Sequence, residues 1–191
     1  CRMCFRPNSA RAETVVQNQS TLSEEATSEL LDWLDSKSFV ELSDLEGDDL
    51  NHLQGLLDAG ADVNVELREG WETLAQAFAQ AFAQSGNLEG LRLIAGYGAD
   101  FNKVARKDYS PAWLAANTHH YEALALLKTF GVDTDELATK TLISYEEEKR
   151  RGLSINQLRH LLDAGADVNV ELWDGGGTMA QFFGFNWNLE G

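Results

Sequence analysis

Basic residues, cysteine and proline are scarce in this chain, and no apolar run approaches the length of a bilayer span. Only 15 Lys and Arg stand against 31 Asp and Glu, for a formal net charge of −16. A field of that sign repels phosphate backbones and anionic lipid, which argues against nucleic-acid binding and membrane attachment. A basic protein partner is instead drawn in at an enhanced rate. The two cysteines, Cys1 and Cys4, form one C-x-x-C pair. A structural zinc site needs four ligands, and no second cysteine pair is present, so no metal and no cofactor is expected. With 2 prolines among 191 residues the chain is no Pro-rich linker. A transmembrane helix needs about 20 consecutive apolar residues, so membrane insertion is not expected. The chain opens on Cys1 and not on Met, from which removal of a preceding segment is expected; the compartment stays open.

What the chain does contain is repetition. LLDAGADVNVEL occurs at 56–67 and again at 161–172, with weaker copies LIAGYGADFN at 93–102 and LLKTFGVDTD at 126–135. The glycines that close the helical half of each copy, Gly60, Gly98, Gly131 and Gly165, stand 38, 33 and 34 residues apart. A period in the middle thirties points to helix pairs, each burying its apolar face against its neighbours.

Residues 1–20 lack sustained periodicity and read as a flexible leader. The first unit is expected to open at 21–35, capped by Thr21 or Ser23, with Leu30, Leu31, Trp33 and Leu34 as its apolar stripe. A second helix follows at 47–60 and ends at Gly60. The next unit reads as a turn at 61–72 and helices over 73–84 and 88–95. Helices near 111–117 and 121–129 form the third. A fourth spans about 134–163, with Ser154 capping its second helix, and the fifth, from 166 onward, is incomplete or atypical. Its closing NLEG at 188–191 repeats NLEG at 87–90, where a second helix begins. The duplicated AQAF in 75–82 explains the longer spacing of 38 residues: four extra residues add about one helical turn, which is expected to project beyond its neighbours.

On these residues the chain resembles the ankyrin-repeat family. The closing Leu-Leu, Gly-Ala-Asp-x-Asn pattern is matched by Leu56, Leu57, Gly60, Ala61, Asp62 and Asn64, and again by Leu161, Leu162, Gly165, Ala166, Asp167 and Asn169. Gly98, Ala99, Asp100 and Asn102 match it a third time. The helix-opening half is best seen in SPAWLAA at 110–116; elsewhere Thr73 and Thr178 keep the capping hydroxyl, while Gln76 and Gln181 stand where the family has His. The resemblance covers about 21–191 in about five units. It implies an all-α solenoid of stacked helix pairs with projecting turns. It further implies that a protein partner is recognised by the turn tips and the concave helical face.

Candidate contacts follow from aromatics in and near those turns. Trp71 and Trp173 lie in corresponding turns, REGWET and LWDGGGT. Exposed aromatics bury large area at modest entropic cost, so these two are the expected anchors. Tyr97, Phe101 and Tyr109 enlarge the patch, and Glu66, Glu69 and Asp174, with Asp48 and Asp49, form an acidic rim that steers a basic partner. Trp113, inside a helix, reads as core. Asp62, Asn64 and Glu66 alternate oxygens without the ligand series or central Gly of a calcium loop, so turn capping explains them better. His119 and His120 read as a polar turn, and the matching His52 and His160 as packing residues. Gly175, Gly176 and Gly177 lack a following Lys-Ser or Lys-Thr, and no nucleophile, base and acid set is present. The expected function is therefore a non-catalytic protein-interaction module. The alternative is an acidic inhibitor or immunity-type protein that masks a basic toxin or nuclease.

Overall fold

From Ser9 to Glu46 the chain contains neither Gly nor Pro, and a computed structural model places one continuous helix, α1, over Ser9–Asp35. The structure describes residues 9–67, 72–102, 110–148, 153–171 and 177–181, with side chains from residue 21 and, in the segment 110–148, only as far as 144. Part of the segment read as a flexible leader, 9–20, is thus helical. Ala10, Ala12, Glu13, Gln17 and Gln19 are all good helix formers. Thr21 and Ser23, read as caps, lie inside α1.

The chain continues through α2 (Phe39–Ser43), α3 (Asp48–Asp58), β1 (Glu66–Leu67), β2 (Glu72–Thr73), α4 (Leu74–Ser85) and α5 (Leu88–Gly96). Then come α6 (Pro111–Asn117), α7 (Tyr121–Thr129), α8 (Asp135–Glu148) and α9 (Ile155–Asp163). Among the described residues the fold is all-α apart from the antiparallel pair β1–β2, in which Glu66 stands opposite Thr73, and an isolated bridge between Glu171 and Thr178.

Four helices end in the same way because the same residues end them. Gly60, Gly98, Gly131 and Gly165 take φ of 97°, 79°, 86° and 93°, a left-handed conformation that costs a glycine little. Each is followed by a residue whose N–H reaches five positions back: Ala61 to the Leu56 carbonyl, Ala99 to Ile94, Val132 to Leu127, and Ala166 to Leu161. This is the Schellman arrangement, which pairs carbonyls that a helix end would otherwise leave unsatisfied. The carboxylates of Asp62, Asp100 and Asp167 then accept the N–H groups of Asn64, Asn102 and Asn169 at 2.8, 2.9 and 2.8 Å.

Helix starts are equally local. Thr73 caps α4, its hydroxyl accepting the Gln76 N–H while the Gln76 side chain accepts the Thr73 N–H. Thr178 and Gln181 make the same reciprocal pair. Glutamine at this position therefore completes a capping box, with each side chain satisfying the other residue's backbone donor. Ser154 and Gln157 form a third box at the start of α9.

The core runs through α4, whose Leu74, Phe78, Ala79 and Phe82 are fully buried. Each fully buried Phe contributes about 1.5–3 kcal/mol of transfer free energy. The extra AQAF turn does not project: Ala81, Phe82 and Ala83 are buried, and α2 packs against α4. The Ser85 hydroxyl donates to the Ser43 carbonyl at 2.7 Å, and the Asn87 amide to the Leu45 carbonyl at 2.8 Å. The short α2, started by a capping box between Ser38 and Glu41, covers the added turn.

Candidate functional site

Among the described residues, three hollows lie against α1, α2, α4, α6 and α8. One of these, about 720 Å³, opens between α1, α2, the β1–β2 pair and α4. Leu31 and Leu34 come from α1, Phe39 and Leu42 from α2, and Leu67 from β1. Asp35, Glu66 and Glu72 stand around this apolar lining, with one cation, Lys37. Lys37 is already engaged: its ammonium donates to the Asp49 carboxylate at 3.0 Å and lies 5.1 Å from the centre of the Trp33 ring. Trp33 in turn meets His52 edge-on, with ring centres 5.3 Å apart. Phe39 and its neighbour Val40 remain 43 % and 68 % exposed.

The other two hollows, about 460 and 260 Å³, share Trp113, Leu137 and Lys140 and follow the seam between α6 and α8. Trp113 is half-buried and lines both, so it is less deeply placed than a core reading requires. Lys140 donates to Glu136 at 2.5 Å across one helical turn. At the end of the seam His119 holds φ of 66°, and its ring nitrogen lies 2.8 Å from the Tyr121 hydroxyl. His120 packs behind it against Gly86. Desolvation holds the His120 pKa below the ordinary histidine value, and the neighbouring His119 adds to the depression.

The expected contact residues divide. Glu66 is exposed and lines the hollow beside α2. Tyr97 is half-buried at the end of α5 and donates its hydroxyl to the Asp58 carboxylate, which raises the phenol pKa. Phe101 is a correction: it is only 4 % exposed, with its ring centre 5.3 Å from that of Phe130, so it belongs to the core and not to an exposed patch. The sequence marks Phe101 as a turn residue but does not say which way its ring faces. Trp71, Trp173, Tyr109, Glu69 and Asp174 lie outside the described residues. The closing pairs of two of these turns, Glu66–Thr73 and Glu171–Thr178, are described and match. Asp48 and Asp49 occupy the first turn of α3, where carboxylates complement the helix dipole. Among the described residues no group of three or more His, Cys, Asp or Glu is placed to hold a metal ion, and no helix is long and apolar enough to cross a membrane.

Leu31, Leu34, Phe39 and Leu42 escaped the sequence reading as a surface. The only signal of the α2 wall was the Ser38-x-x-Glu41 spacing of a capping box. Comparison of the chain with protein-family models, with curated proteins and with solved structures found no match.

Proposed function

We propose that the chain is a non-catalytic protein-interaction module of ankyrin-repeat type, a solenoid of helix pairs that takes a protein partner on its first-helix face and turn tips. One observation carries the reading: the hollows along α1 and α2, and along the seam between α6 and α8, are lined chiefly by what this reading takes as first helices and the turns that lead into them. The packing order supports it, since α4 meets α6 and α6 meets α8 on one side, while α5 meets α7 and α7 meets α9 on the other. Recurring loop geometry holds such a surface rigid before a partner arrives, which reduces the ordering cost of binding. The charge of −16 selects for basic partners. It also suits the second reading, an acidic protein that masks a basic toxin or nuclease.

Selection of a random-peptide display library on the immobilised chain tests this reading. Enriched sequences are expected to bind saturably in calorimetry. A Trp71→Ala, Trp173→Ala double variant with unchanged melting temperature is expected to bind them more weakly if the turn tips take part. A library that enriches nothing over a blank surface counts against the interaction module.

A further inference from the structure

We infer that the face formed by α9 and the turn after it receives a helix of a partner protein, one that closes in a Gly-x-Asp turn. Ile155, Leu158, Leu162 and Asn169, which carry this face, line none of the hollows described above, so it is a surface apart from the first-helix face.

The chain holds its own control. LLDAGADVNVEL stands unchanged at 56–67 and at 161–172, and the apolar positions before it correspond as well, Leu50 to Ile155 and Leu53 to Leu158. In α3, Leu50, Leu53, Leu56 and Leu57 are all buried. In α9 only Leu161 is. Ile155 is 57 % exposed against 5 % for Leu50, and Leu162 is 41 % exposed against 3 % for Leu57. Ala61 and Val63 are buried, whereas Ala166 and Val168 are half-buried. The same residues differ in burial because their neighbours differ. Ile155, Leu158 and Leu162 stand at i, i+3 and i+7, so the apolar area forms one stripe along α9.

The turn specifies the chemistry of the neighbour. Asn64 accepts the Asp100 N–H at 2.8 Å and donates to the Gly98 carbonyl at 2.9 Å, both in the turn that closes α5. Asn169 is its counterpart, and the backbone N–H of each is held by the Asp two residues earlier at 2.8 Å. The Asn169 side chain nevertheless makes no hydrogen bond among the described residues. An amide held in this way offers one donor and one acceptor to a Gly carbonyl and to the N–H two residues on.

Two occupants from this chain do not fit. A second copy brings three Gly-Ala-Asp turns, and in each the Asp N–H is already taken: that of Asp62 by Thr27, that of Asp100 by Asn64, and that of Asp167 by Thr139. Residues 182–191, FFGFNWNLEG, contain no Gly-x-Asp, and their closing NLEG matches only the first residues of the 87–102 segment, ahead of Gly98. A partner helix whose Gly-x-Asp turn is free meets both the apolar stripe and Asn169.

The probe is a synthetic peptide with the sequence of residues 87–102, NLEGLRLIAGYGADFN, added to the full chain. Calorimetry and the chemical shifts of backbone and side-chain amides are the readouts. Saturable binding is expected to move the Asn169 side-chain amide and the backbone amides of 155–170. A second peptide carries an ester in place of the amide at its aspartate, which removes that N–H alone. It is expected to bind the parent chain about tenfold more weakly, and the two peptides are expected to bind Asn169→Ala alike. Leu162→Asp is expected to abolish binding and to leave the melting temperature of the unbound chain unchanged. Shifts confined to 47–65, beside which the same sequence packs within the chain, overturn the inference. So do an ester penalty that survives Asn169→Ala and an absence of saturable binding. A lower melting temperature for unbound Leu162→Asp shows that the chain covers the stripe itself, and dimerisation abolished by Leu162→Asp makes a second copy the occupant; either result overturns the inference too. The first-helix surface is judged separately, by the display selection.

Discussion

The hydroxyl of Thr27 accepts the backbone N–H of Asp62 at 2.9 Å, tying the middle of α1 to the turn after α3. The same hydroxyl donates to the Ser23 carbonyl one turn earlier in α1. Thr139 stands in the identical relation to Asp167, accepting its N–H at 2.9 Å while donating to the Asp135 carbonyl. Between these ends a different side chain does the equivalent: Asn64 accepts the Asp100 N–H at 2.8 Å and donates to the Gly98 carbonyl at 2.9 Å. Each turn that follows a Gly-Ala-Asp is therefore clamped from outside, by a helix in the first and last cases and by the preceding turn in the middle one.

These clamps predict an order of damage. Thr27→Val and Thr139→Val keep shape but remove the acceptor, so each should lower unfolding free energy by about 0.5–1.5 kcal/mol. Asn64→Ala removes two bonds at once and should cost about 1–3 kcal/mol. Urea denaturation followed by circular dichroism measures all three. Equal and negligible losses would show that the turns hold themselves.

Two glycines with nearly the same backbone should respond differently to alanine. Gly86 and Gly98 have φ of 74° and 79°, so both substitutions carry the left-handed penalty of about 1 kcal/mol. A Cβ at Gly98 meets open space, whereas one at Gly86 falls 2.8 Å from Cγ of His120. Gly86→Ala should therefore be the more destabilising by about 1 kcal/mol or more, since the ring must leave its packed position. Matched thermal unfolding curves for the two variants would falsify this placement of His120.

The same packing sets a pH dependence. Burial, followed by the charge of His119, lowers the His120 pKa below the ordinary 6.5. As pH falls below about 6.5 the unfolded chain takes up the proton first, so folding stability declines with falling pH until the folded-state pKa is passed. Above that window this group contributes no slope. The ring resonances of His120 should titrate with a midpoint below 6.5, and His120→Gln should flatten this part of the stability profile. A midpoint at or above 6.5 would contradict the buried position.

What was legible in the sequence was whatever a few consecutive residues decide. Gly60, Gly98, Gly131 and Gly165 announce helix ends because the reversal they allow is penalised in other residues. Thr73 and Ser154 announce starts because their hydroxyls reach donors three residues away. The start of α1 was misplaced because 9–20 lacks an apolar stripe, although nothing in it breaks a helix. The α4 extension was read correctly as an added turn, but its covering by α2 joins residues 42 positions apart. The hollow beside α2 has the same origin: Leu34, Phe39 and Leu67 meet only after the chain has packed.

Phe101 separates the core from the surface most sharply. As an exposed partner anchor it would tolerate truncation with little loss of stability. Buried and stacked on Phe130 with rings inclined by 17°, it leaves a cavity when cut back. Phe101→Ala should therefore destabilise the fold by about 3–5 kcal/mol, and Phe101→Leu by less, because most of the volume is kept. Denaturant titration of both variants gives the comparison. If Phe101→Ala instead unfolds like the parent chain but loses a partner, Phe101 returns to the binding surface and the packing between residues 101 and 130 is wrong.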